Sequence, residues 1–277
     1  MRIDSHQHFW RYVSTEYQWI DDSMAALRRD FLPHDLAPQL GKAGFEACVA
    51  VQVRQTLEET RWLLELAAKS SFVAGVVGWV DLRAEDAQSR LEHFAQNPKL
   101  VGVRHIVQSE FDDQFLLQPE FLRGIASLER FDLAYDILIY PRHLPVATEF
   151  VKCFPRQRFV LDHLAKPPIR SGELQPWEDH IRELARLPNV YCKLSGMVSE
   201  ADWRKWKSQD FHPYLGVVFD CFGPGRLMIG SDWPVCLVAA PYLEAMNIVL
   251  EYMNRFPQSA AEAVLGGNAR RFYKLVA

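Results

Sequence analysis

His6-Gln7-His8 lies close to the start of the chain, inside Arg2-Ile3-Asp4-Ser5-His6-Gln7-His8-Phe9-Trp10. Side chains alternate faces along a strand, so His6 and His8 point the same way if this segment is extended. Two imidazoles one pleat apart can hold one divalent metal ion. An isolated pair of this spacing is as readily a solvated feature, so its weight depends on what else the chain offers. Further on come Gly102-Val103-Arg104-His105, Tyr135-Asp136, Leu161-Asp162-His163-Leu164-Ala165-Lys166-Pro167, Lys193-Leu194-Ser195-Gly196 and Gly230-Ser231-Asp232-Trp233-Pro234. Imidazoles, carboxylates and cations brought to one place are the material of metal-assisted or general acid–base chemistry.

Such residues need elements to position them. Short apolar runs read as strands at Arg2–His6, Glu46–Val53, Val73–Val80, Leu100–Val107, Leu133–Ile139, Arg158–Leu164, Val190–Leu194 and Arg226–Gly230. Several are near-continuous Val, Ile and Leu, as parallel strands buried on both faces should be. Amphipathic stretches separate them, for example Leu57–Lys69 and Trp177–Arg186. This alternation predicts an α/β fold, a (β/α)8 barrel of the TIM type, as a single domain over residues 1–277. A doubly wound sheet is the runner-up, weakened because no Gly-x-Gly-x-x-Gly or Walker loop follows a strand.

In a barrel, polar residues at the C-terminal strand ends read as catalytic or binding. Nearly every strand here ends on one: His6 and His8, Gln52, Trp79 with Asp81, Arg104 with His105, Asp136, Asp162 with His163, Lys193, and Asp232. Taken singly, each has a plainer reading. His105 and His163 fit hydrogen-bonded structural histidines, and Asp232 fits a helix N-cap. Arg104 and Lys193 fit ion-paired supports, and Asp81 and Asp162 read as structural first. Taken together they mean more, because strands one and eight adjoin in a closed barrel and bring His6, His8 and Asp232 together. Two long insertions, 9–44 with Trp10, Tyr12, Tyr17, Trp19 and Phe31, and 196–225 with Trp203 and Trp206, are expected at or beside the mouth.

Composition narrows the partners. The chain has 277 residues, is 49% hydrophobic and carries a formal charge of -4. Its scattered Lys and Arg suggest neither nucleic acid nor an anionic membrane. Five well-separated cysteines without a Cys-x-x-Cys pair point to reduced thiols and a cytoplasmic protein. No signal peptide is read, and runs such as Val73–Val80 fall short of the ~20 residues a membrane helix needs. Eight Trp and nine Tyr suit either a core or a sugar-binding cleft.

The set of motifs resembles the amidohydrolase superfamily, and within it the branch of sugar-lactone and dicarboxylate-lactone hydrolases. Asp-Ser-His-Gln-His-Phe-Trp at 4–10 and Arg-Leu-Met-Ile-Gly-Ser-Asp-Trp-Pro-Val-Cys at 226–236 are most similar to L-fucono- and L-rhamnono-lactonases. The resemblance spans essentially the whole chain. It implies hydrolysis of a small-molecule sugar lactone to its aldonic acid, by a monomer or homodimer. It implies one divalent, zinc-like ion on His6, His8 and Asp232, with His163 as a further ligand or a catalytic neighbour. Asp232 would accept the water's proton and return it to the ring oxygen, and His105 or His163 would stabilise the oxyanion. Gln52, Arg104, Asp136 and Lys193 would bind sugar hydroxyls or support the histidines, and Trp10, Trp19, Trp79 and Trp233 would offer apolar faces. No strand-end Lys or Glu is placed to bridge two metals, so a binuclear centre is not expected. Three alternatives remain. One is a dicarboxylate lactone clamped by Arg54, Arg104, Arg142 or Lys166, another is a metal-dependent decarboxylase using Arg104, and the third is a non-catalytic sugar-binding barrel.

Overall fold

The apolar runs become eight parallel strands: β1 (Ile3–Gln7), β2 (Ala47–Val51), β3 (Val73–Gly78), β4 (Leu100–Ile106), β5 (Ala134–Leu138), β6 (Phe159–Leu161), β7 (Val190–Leu194) and β8 (Leu227–Ile229). They form one sheet in sequential order, each strand hydrogen-bonded to the next. The structure is a computed structural model and describes residues 1–276. Helices α1 (Pro33–Lys42), α2 (Leu57–Lys69), α3 (Ala87–Ala95), α4 (Pro119–Ala126), α5 (Leu144–Lys152), α6 (Trp177–Ala185), α7 (His212–Phe222) and α8 (Tyr242–Met253) follow the strands in turn and surround them. This is the expected (β/α)8 barrel.

The seam between the first and last strands sets the site. Gln7 bridges Trp233 just beyond β8. Asp232 N donates to His6 O at 2.8 Å, and His8 N donates to Trp233 O at 2.6 Å. Buried Asp4 locks the seam by accepting from Ser231 N at 2.9 Å, Ser231 Oγ at 2.6 Å and Tyr242 OH at 3.1 Å. Within β1 the register against β2 slips by one residue between Asp4 and Gln7. Such a bulge re-aims side chains. Here it lets Ile3 pack into the lower barrel while His6 and His8 face the interior higher up.

The lower barrel is filled by Ile3, Val49, Val77, Ala134, Val160 and Met228, and Phe272, Tyr273 and Leu275 from the chain's end plug it. Two short helices, α9 (Gln258–Glu262) and α10 (Asn268–Phe272), lead into that plug.

One strand departs from expectation. The sixth, expected to run to Leu164, stops at Leu161. His163, Leu164, Ala165 and Lys166 then take φ between 54° and 57°, a left-handed turn built without glycine. Each such residue costs roughly 1–3 kcal/mol, and strain of this kind collects at functional sites.

Candidate active site

Four side chains from three places on the barrel rim converge. His6 Nε2 lies 3.2 Å from His8 Nε2, and His8 Nε2 lies 3.2 Å from Asp232 Oδ1. Asp232 Oδ1 is also 3.8 Å from His6 Nε2 and 3.8 Å from His163 Nε2. All four residues are buried. Burial alone would raise the Asp232 pKa, but His163, His8 and His6 hold it well below the usual carboxylate range. Burial also lowers His163, to about 4, so it is neutral near pH 7.

The proton positions bear on whether a metal fits. His8 Nδ1 lies 2.8 Å from Val51 O, an acceptor, so Nδ1 carries the hydrogen. His8 Nε2 is then the ring atom that faces Asp232 Oδ1 and His6 Nε2, and it can ligate an ion when it carries no proton. Ligand atoms gathered this closely can share one positive centre. A tetrahedral site with Zn–N near 2.0–2.1 Å has edges of about 3.3 Å. Two of the three separations, at 3.2 Å, are close to that edge and the third is 3.8 Å, so His6, His8 and Asp232 can gather on one divalent ion with a small adjustment.

A deeper grouping of His6, Asp162 and His163 also has ligand atoms close together. Its positive charge is already supplied by the protein. Lys193 Nζ is 3.0 Å from Asp162 Oδ1 and 3.2 Å from His6 Nδ1, and Arg104 Nη1 is 3.0 Å from Asp162 Oδ2. Lys193 also pairs with Asp136, whose carboxylate accepts from Tyr273 OH at 2.8 Å. Two cations and two carboxylates thus balance in the barrel axis beneath His6.

Above the four converging side chains opens a cavity of about 430 Å³. His8, Arg104, His163 and Asp232 lie at its floor, and Val53, Ile106, Leu138, Val235 and Val238 give apolar wall. Trp19, Met24 and Trp203 come from the two insertions. Gln108, Ser109, Tyr140, Ser199 and Glu200 also line it, as does Lys166, weighed above only as a carboxylate clamp. They sit on loops whose facing the sequence does not encode; for Lys166, its place three residues after His163 was the one available signal.

Several expected site residues lie elsewhere. His105 follows Arg104 directly, so it faces the opposite side of β4. It stacks on Phe115 at 4.6 Å, and its Nε2 lies 2.7 Å from Glu110 Oε1 in the helical layer, away from the cavity. Trp79 goes with it, donating from Nε1 to His105 Nδ1 at 3.3 Å. Trp233 is buried against Phe31 and Phe9, and Trp10 is buried among Tyr17 and Phe31. Gln52, Asp136 and Lys193 are wholly buried beneath the cavity. Gln52 Oε1 accepts from Arg104 Nη2 at 2.9 Å, a supporting contact. Of the aromatic side chains proposed to face sugar, only Trp19 reaches the cavity.

Fold and site together define a (β/α)8 barrel with a His-x-His and aspartate centre at the C-terminal strand ends. The chain belongs to the amidohydrolase family, whose profile matches residues 3–275. It is 42% identical to an L-fucono-1,5-lactonase of Burkholderia ambifaria over 99% of this chain and 96% of that one. It is 43% identical to an L-fucono-1,5-lactonase of Burkholderia multivorans over the same shares. A solved amidohydrolase structure from Burkholderia multivorans with bound zinc superposes with a TM-score of 0.96 at 43% identity, covering all of both chains.

Proposed function

We propose that this chain hydrolyses a sugar lactone of the L-fucono-1,5-lactone class to its aldonic acid, with one zinc ion on His6, His8 and Asp232. The carrying observation is the convergence of His6, His8 and His163 on an ionised Asp232 beneath a sugar-sized cavity. The two lactonases of 42–43% identity supply the substrate class. Bound there, the ion supplies Lewis acidity and lowers the pKa of water toward ~7. Asp232, held ionised, accepts the proton of the attacking water and returns it to the ring oxygen as the ester bond breaks. Ser195 Oγ lies 2.9 Å from His163 Nδ1, and in the tautomer where the hydroxyl donates, His163 Nε2–H is left to face the carbonyl oxygen. A neutral donor placed this way stabilises the oxyanion.

The pairing of cations favours a neutral sugar over a dicarboxylate or a decarboxylation substrate. Arg54 is paired with Glu16, Arg104 with Asp162, Arg142 with Asp113 and Lys166 with Glu200. Each cation is thus balanced by a carboxylate of the protein, which leaves no net positive charge among the four to clamp a substrate carboxylate. No described helix is long and apolar enough to cross a membrane, and all five cysteines are free, which suits the reducing cytoplasm. The test is acid release, read by a pH indicator, from L-fucono, D-arabino, L-rhamnono, L-galactono and D-galactono lactones. Fastest release from the L-fucono compound is expected, and no release from any of them would refute the reading.

A further inference from the structure

Lys166 and Glu200 face each other across the cavity wall with their hydrogen bonds unspent. Lys166 Nζ lies 3.5 Å from Glu200 Oε1, beyond the length of a good charge-assisted hydrogen bond. Neither side chain makes a directed hydrogen bond to another described residue. The ammonium also lies 5.5 Å from the face of Tyr140. Three N–H donors and a carboxylate's lone pairs are therefore held about three-quarters buried and aimed at the cavity. An ion pair at such a spacing is open to a third party that donates to one partner and accepts from the other.

Lys166 ends the left-handed turn that begins at His163, and its N–H closes that turn onto His163 O at 2.7 Å. Four non-glycine residues in this conformation put His163 and Lys166 on one cavity. A right-handed continuation from β6 would not place them so.

We propose that Lys166 and Glu200 form a diol-reading subsite, which recognises two neighbouring hydroxyls of the sugar lactone while His163 and Asp232 act on its ester carbon. The proposal rests on the lactonase reading and deepens it. One hydroxyl accepts from Lys166 Nζ, and the next donates to Glu200. The pair stays neutral overall, so it selects polyols and gives a carboxylate no net attraction.

The test compares L-fucono-1,5-lactone with δ-valerolactone, a six-membered lactone without hydroxyls, in wild type, Lys166→Met and Glu200→Gln. Hydrogen bonds to charged groups predict that each variant loses about 10–100-fold in kcat/KM on the polyol, mostly through KM. The loss on δ-valerolactone should be at least tenfold smaller. Equal losses on both lactones would mark the pair as merely structural, and no loss on the polyol would exclude contact; either overturns the proposal. Binding of the unreactive pyranose L-fucose, followed by calorimetry, keeps the test separate from hydrolysis. Wild type should bind it, and each variant at least tenfold more weakly. If wild type binds L-fucose in this way yet hydrolyses no lactone, the lactonase reading fails while the subsite stands. If affinity is unchanged in folded Glu200→Gln, or wild type does not bind, the subsite fails.

Discussion

Asp232→Asn separates chemistry from architecture better than any other single change. Asp232 has φ of 56°, a conformation that Asn tolerates as Asp does, whereas Ala there adds roughly 1–2 kcal/mol of backbone strain. The new amide can turn either its oxygen or its N–H to where Oδ1 stood, and so can still pair with His8 Nε2. It also removes a buried charge. Folding stability should therefore stay within about 1 kcal/mol, a Tm change of about 2–4 °C for a chain of this size. The chemistry should suffer far more. Losing the group that takes and returns the proton costs about 10²–10⁴ in rate, roughly 3–5 kcal/mol of barrier. Metal content should fall with it, since one of three converging ligands becomes neutral. The assays are acid release under saturating lactone, thermal denaturation and metal analysis of the same preparation. A folded Asp232→Asn protein that keeps more than a tenth of the wild-type kcat would refute the role given to this carboxylate.

Other perturbations follow from the same geometry. His105→Phe, which keeps a ring against Phe115 and Phe121, should leave kcat within about threefold, since His105 faces the helical layer; a hundredfold loss would return it to the catalytic set. Metal titration of the chelated protein should reach one equivalent per chain, because Lys193 and Arg104 already neutralise Asp162; a second tight equivalent in the barrel would contradict that. Burial raises buried Glu59 from 4.5 to about 7, so the folded state holds its proton more tightly than the unfolded state does. Its contribution is present below pH 4.5 and is lost as pH rises through about 7, some 3 kcal/mol in all. Urea unfolding of Glu59→Gln should therefore show a gain over wild type at pH 8 that vanishes near pH 4.5, and a pH-independent difference would be the wrong answer.

The barrel and its centre were legible in the sequence because both follow from periodicity and closure. Val-rich runs announce buried parallel strands, a two-residue spacing puts His6 and His8 on one face, and closing the barrel brings Asp232 over them. What stayed hidden depends on facing and depth. Arg104 and His105 both end β4, and period two allows only one of them inside, but the sequence does not say which. Asp136 and Lys193 face inward as expected, yet they lie a layer below the cavity, where they balance charge. The turn at 163–166 carries no glycine to announce its left-handed backbone, so only the three-residue spacing hinted that Lys166 shares a cavity with His163. Trp10, Trp79 and Trp233 look alike in composition to Trp19, and only three-dimensional packing separates core from cleft.

Hydrolysis of L-fucono-1,5-lactone in ¹⁸O-labelled water, with the product examined by mass spectrometry and ¹³C NMR, tests the central claim most directly. Water activated beside Asp232 attacks the carbonyl carbon, so the aldonate should carry one label in its carboxylate and none on the former ring oxygen. Absence of enzyme-dependent aldonate, or label on the ring-carbon hydroxyl, would contradict the account.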